Sequence, residues 1–136
     1  MYRTILVPID IGQAGRAPEA LALARALLAE GGTVHLLYVV ADVPSFISTQ
    51  LPEGIQEAHV AEAGAALDAL AQDLPAPAET HVLTGHVSTT ILDFAERIEA
   101  DCIVIASHRP GFQDYFLGST ASRVVRHAPC TVVVAR

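Results

Sequence analysis

The chain alternates between two hydrophobic rhythms. Short apolar runs occur at Thr4-Ile5-Leu6-Val7-Pro8-Ile9-Asp10, Val34 to Val40, Thr80 to Leu83, Cys102 to Ala106 and Cys130 to Ala135. Such runs predict strands covered on both faces. Between them, apolar residues recur at helical spacing. Ala17, Ala20, Leu21, Ala24, Leu27 and Leu28 share one helical face, as do Val60, Ala63, Leu67, Leu70 and Leu74. Val87, Ile91, Phe94, Ala95 and Ile98 form a third stripe, and Ala121, Val124, Val125 and Ala128 a fourth. The punctuation agrees with this division. Pro18 suits a first helical turn, and Gly31-Gly32 is expected to stop that helix. Pro75 and Pro77 end the second helix, Gly85 turns the chain, and Pro129 breaks the last helix. Asp42 to Gly54 contains two prolines and no period, and is read as a loop.

Strands alternating with helices imply an α/β fold with a parallel sheet and helices on both faces. The expected architecture is an open, doubly wound, Rossmann-like sheet of five strands in order 3-2-1-4-5, with four helices. In that order the chain reverses direction between strands 1 and 4. Ligands of such sheets bind beyond the carboxyl ends of the strands at the reversal.

Composition narrows the partners. The 136 residues fit one domain spanning residues 1–136. Half are hydrophobic but only 5% are aromatic, so the core must be aliphatic. A net charge of -7 argues against a nucleic-acid partner. Met1-Tyr2-Arg3-Thr4-Ile5 leads straight into a strand pattern, and no apolar run nears the roughly 20 residues of a membrane span. A cytoplasmic location with no membrane partner is expected. Cys102 and Cys130 each begin an apolar run and are read as reduced core residues.

The predicted strand order brings chemistry together. Strand 1 ends at Pro8-Ile9-Asp10, strand 4 at Ala106-Ser107-His108-Arg109, and the last helix opens at Gly118-Ser119-Thr120. A helix N-terminus presents unpaired N–H groups and a partial positive charge, which attract phosphate. Gly118 permits close backbone approach, and Arg109 can form paired charge-assisted bonds. Asp10 suits ribose hydroxyls or a metal ion. Together these describe a nucleotide with its sugar near Asp10 and its phosphates near Arg109 and Gly118. Ser119 has a plainer alternative as a helix cap. No Walker A, Gly-x-Gly-x-x-Gly or nucleophile-elbow pattern occurs. His81 and His86 flank a turn with no third ligand evident, so no metal site is expected there.

Four stretches, taken in order, resemble the universal stress protein family. They are Ile5 to Asp10, Gly85 to Leu92, Ala100 to His108, and Gly118 to Val134. The family's ATP-binding branch is known for Gly-x2-Gly-x9-Gly-[Ser/Thr]. Here Ala106 and Arg109 replace the first two glycines, and the interval from Arg109 to Gly118 is one residue short. A subgroup carries Ser-His-Arg-Pro at this point, as at Ser107 to Pro110, and its members are similar to ATP binders. Ile11 to Gly15 also lacks the serine common after the family's aspartate.

The resemblance implies that Pro8, Ile9 and Val39 border adenine and Asp10 the ribose. It places Ser107, Arg109, Gly118, Ser119 and Thr120 around the phosphates, with Ala106 and His108 in the same loop. The implied function is a stress-response regulator that binds ATP or AMP, with Mg2+ accompanying ATP. Family members pair through the last strand, which implies a homodimer through Thr131, Val132, Val133 and Val134. An unidentified regulatory protein would read the bound state. No base for activating water stands out, so hydrolysis of ATP is expected to be slow at most; Asp10 and His108 are the pair that would serve it. The missing glycines and the acidic charge leave a nucleotide-free interaction module as the alternative.

Overall fold

A computed structural model describes residues 1–10, 17–42, 54–74, 78–107 and 118–135. In chain order they form β1 (Tyr2–Pro8), α1 (Ala17–Leu27), β2 (Leu28–Ala41), α2 (Ile55–Gln72), β3 (Ala78–Gly85), α3 (Val87–Arg97), β4 (Cys102–Ala106), α4 (Ser119–His127) and β5 (Thr131–Ala135). The five strands make one sheet in the order β3-β2-β1-β4-β5. All four neighbouring pairs are parallel. This is the expected doubly wound sheet.

The apolar runs explain it. In β1, Ile5, Leu6 and Val7 are all fully buried. Successive side chains point to opposite faces, so the strand needs cover on both. Ile5 and Val7 join Ala20, Leu21 and Ala24 of α1 and Leu67 of α2 in one core. Leu6 joins Ile91 and Phe94 of α3 and Val124 of α4 in the other. β4 repeats the division, with Cys102 and Val104 on the first face and Ile103 and Ile105 on the second. Each fully buried aliphatic side chain contributes about 1.5–3 kcal/mol, so two aliphatic layers suffice without tryptophan.

The first helix ends earlier than its glycines imply. α1 stops at Leu27, and Leu28 already pairs with Tyr2. The ladder then jumps from Tyr2↔Leu28 to Thr4↔Thr33. Residues between them loop out of register as an irregularity of β2. Gly31 has φ 80°, and a Cβ on Gly32 would lie 2.9 Å from the Arg3 carbonyl oxygen. The glycines therefore serve the bulge rather than a helix stop. The predicted loop from Asp42 to Gly54 and the breakers Pro75 and Pro77 lie largely or wholly outside the described residues.

At the amino ends of the strands, Asp101 holds the start of β1 to the turn before β4. Its carboxylate accepts the backbone N–H groups of Arg3 at 2.9 Å and Thr4 at 3.0 Å. Its own N–H donates to the Thr4 carbonyl at 3.0 Å. The opposite ends of the strands are left for the site.

Candidate functional site

Two backbone bonds prolong the ladders past the strand ends. The Ile9 N–H donates to the Leu37 carbonyl at 2.8 Å, which carries β1's direction onward and sets Asp10 at the rim. The Ser107 N–H donates to the Ala135 carbonyl at 2.8 Å, which does the same for β4. Between these two ends lies a cavity of about 390 Å³. That volume falls within the range of about 300–1,000 Å³ typical of small-molecule sites.

The cavity is split between the two faces of the sheet. Ala17 and Ala20 of α1 line it on one face, and Val87 and Ile91 of α3 on the other. Helices on opposite faces diverge where the connections reverse, and the space between them is the switch-point crevice. Its β1 side is Pro8, Ile9 and Asp10; its β2 side includes Leu37, Tyr38 and Val39. Ile105 and Ala106 close the β4 side, and Gly118, Ser119, Thr120 and Ala121 supply the mouth of α4. Most of the lining is apolar and suits a flat ring. Asp10 and the helix mouth are its polar parts.

Gly118 is the N-cap residue of α4, in extended backbone with φ -61° and ψ 158°, and no side chain caps the helix. Ser119 is therefore inside the first turn, not at the cap. The first N–H groups of a helix have no partners within it, and here they open beside the cavity. Gly118 has a backbone that any residue adopts, so what glycine provides is absence of a side chain. Ser107 is buried, and its hydroxyl accepts the Gly118 N–H at 3.4 Å. That bond ties the end of β4 to the start of α4.

Of the residues read from the sequence, Pro8, Ile9, Asp10, Val39, Ala106, Gly118, Ser119 and Thr120 all border this one cavity. Ser107 lies directly behind it through its bond to Gly118. His108 and Arg109 lie outside the described residues. The structure adds Tyr38, which sequence reasoning passed over for Val39. The Tyr38 hydroxyl sits 3.3 Å from His59 Nε2 of α2. Burial, and then the Asp10 carboxylate, raise its pKa above the ordinary tyrosine value, so it remains a neutral phenol. An aromatic residue near a strand's carboxyl end was the available signal.

Comparison with known proteins fits this geometry. The sequence profile of the universal stress protein family matches residues 1–136. The chain belongs to the universal stress protein family. Universal stress protein G of Salmonella typhimurium is 32% identical over 142 residues, with all of both chains covered. Universal stress protein UspA from Lactobacillus plantarum has the same fold, with a TM-score of 0.77 and 31% identity over 99% of this chain and 98% of that one. The universal stress protein from Archaeoglobus fulgidus, solved in complex with dAMP, superposes with a TM-score of 0.64 and 24% identity, covering 99% and 98%. At that identity the likeness establishes the shared fold. No described helix of this family member is long and apolar enough to cross a membrane.

Proposed function

We propose that this universal stress protein binds an adenine nucleotide, ATP or AMP, in the switch-point cavity and acts as a small regulator in the stress response. The observation that supports this most is the uncapped mouth of α4 opening on the same cavity as Asp10 and an apolar slot. The helix mouth suits phosphate, the carboxylate suits ribose hydroxyls, and Pro8, Ile9 and Val39 suit a purine. A relative of the same fold carries dAMP, which is consistent with an adenine ligand. Arg109, by resemblance, would add a cationic fork to the phosphates. Mg2+ bound to ATP takes most of its ligands from phosphate and water, so it asks little of the chain beyond Asp10.

In this reading the protein works by occupancy. Nucleotide held between Asp10 and Gly118 changes the surface above the cavity, and a regulatory protein reads the change. The chain pairs as a homodimer through β5. Hydrolysis is at most slow, because no described cavity residue is placed as a base for water beyond Asp10.

Isothermal titration with ATP, ADP and AMP tests the reading. Binding is expected, and Gly118→Val, which fills the helix mouth while suiting its extended backbone, should weaken it by about tenfold or more. Arg109→Ala should weaken ATP more than AMP, because it removes a phosphate contact. No heat and no thermal stabilisation at millimolar nucleotide would overturn the reading. The net charge of -7 and the replaced glycines favour a second reading, a nucleotide-free interaction module. That result would select it.

A further inference from the structure

A second polar cluster lies away from the cavity, where the edge strand β3 meets β2. His35 is paired in register with Glu79, and His81 follows Glu79 two residues later on the same face. His35 Nδ1 is 3.1 Å from His81 Nε2 and 3.3 Å from Glu79 Oε2, and the latter two atoms are 3.8 Å apart. Three potential ligand atoms from two adjacent strands therefore form one small triangle. None of the three residues borders the cavity. Forty-six positions separate His35 from His81. That separation is why His81 and His86 looked like an incomplete pair in the sequence. The true neighbours of His81 come from strand register, not from the turn.

We propose that His35, Glu79 and His81 bind one divalent transition-metal ion of the Zn2+ class. The geometry supports this directly. A triangle with sides of 3.1, 3.3 and 3.8 Å has a circumscribed radius of about 2.0 Å, close to the Zn–N and Zn–O bond lengths of about 2.0–2.2 Å. An ion near its centre reaches all three atoms without displacing the strands. Two imidazoles and one carboxylate are a recognised zinc donor set with a fourth position left for water. Glu79 is 62% exposed along its side chain, so the site is open to solvent on that side.

The surroundings hold the ligands in place. The two imidazole rings stack at 5.3 Å with planes 19° apart. Phe94 of α3 packs against His81 at 4.6 Å between centroids and meets His35 edge-on at 6.4 Å. Rings fixed this way lose little rotamer freedom when an ion arrives. Arg97 lies over the other neighbour, Phe94, at 5.6 Å, and is the nearby positive charge that opposes a cation. Burial lowers the pKa of both imidazoles against the opposing pull of Glu79, a direction that favours the neutral form, which ligates metal. The bound ion would rivet β3 to β2 and secure the sheet's polar edge.

The test uses untagged full-length protein, stripped with a chelator and free of nucleotide. Zn2+ titration should show one ion per chain and a raised melting temperature. Co2+ should give the intense visible bands of a tetrahedral site. Glu79→Gln, at an exposed position that leaves the fold intact, should weaken Zn2+ by about tenfold or more, the loss typical of disturbed metal sites. His81→Gln should abolish the Co2+ bands. His86→Gln and His127→Gln should change nothing. Zn2+ binding that survives Glu79→Gln unchanged, or that disappears with the His86 or His127 variant, would overturn the proposal. So would failure of Zn2+ to raise the melting temperature of the wild-type chain.

Discussion

Ser107 shows what a single hydroxyl does at a strand end. It was expected beside phosphate, and the structure gives it a prior engagement. Its hydroxyl accepts the Gly118 N–H at 3.4 Å while its own N–H extends the β4–β5 ladder. Ser107→Ala leaves the Gly118 N–H without that acceptor at a part-buried site, at a cost of about 1 kcal/mol, low in the usual range because the bond is long. Urea unfolding should show the loss in the midpoint with an unchanged slope. Nucleotide affinity should fall with it, since the same bond sets the position of the α4 mouth. Asp101 anchors the other end of the sheet. Asp101→Ala removes two charge-assisted acceptors and should cost about 1–3 kcal/mol in the same measurement. Residues of the first kind were legible because motif position and strand end coincide, as with Asp10, Ala106 and Gly118. Tyr38 and His35 were not legible in their roles. Their partners, His59, Glu79 and His81, are set by helix placement and strand register, which no local spacing encodes.

At the scale of elements, apolar period fixed which segments become strands and helices, while ends followed backbone detail. The β4 boundaries match the run from Cys102 to Ala106 because Cys102 to Ile105 are buried on both faces, and burial relaxes only at Ala106 on the cavity wall. The end of α1 did not follow its glycines, because Gly31 and Gly32 are used in the irregular start of β2. Gly32→Ala would drive a Cβ to 2.7 Å from the Leu28 side chain and 2.9 Å from the Arg3 carbonyl oxygen. The backbone oxygen cannot swing aside, so a loss of about 1–3 kcal/mol is expected by thermal melting. The β2–β3 pair gives a pH prediction. Burial lowers the pKa of His35 and of His81 below the ordinary 6.5, against the opposing pull of Glu79. Below about pH 6.5 the unfolded chain therefore takes up protons that the folded rings resist, and stability falls as pH falls. Metal-free protein should melt at lower temperature at about pH 5.5 than at about pH 7.5, and His81→Gln should flatten that slope. A melting temperature that rises on acidification would contradict the sign.

For the whole molecule, strand order was legible because alternation of strands and helices, with right-handed crossovers, leaves few sheets to choose from. That order makes β3 and β5 the edges, and the two edges differ. β3 carries Glu79 and His81, polar side chains that discourage pairing with another chain. β5 reads Thr131-Val132-Val133-Val134-Ala135, with no charge and no proline, and its three valines remain half-buried in a single chain. The hydrogen-bond pattern says how it would pair. In a parallel ladder, alternate residues turn both backbone groups toward the same neighbour. The Ala135 carbonyl accepts the Ser107 N–H of the β4 segment, so Ala135, Val133 and Thr131 face β4. Val132 and Val134 then turn their N–H and carbonyl groups to the open edge. A second copy related by a two-fold axis offers the same groups, and antiparallel pairing of the two edges satisfies both. Light scattering should therefore give twice the chain mass of 14.3 kDa. Val132→Pro removes an outward N–H without touching the β4 ladder, a position where edge strands tolerate proline. It should yield a folded monomer, with nucleotide affinity retained because the cavity is walled by β1, β2, β4 and three helices and not by β5. A wild-type chain that runs as a monomer at every concentration would overturn the pairing, and a proline variant that stays dimeric would place the pairing surface elsewhere.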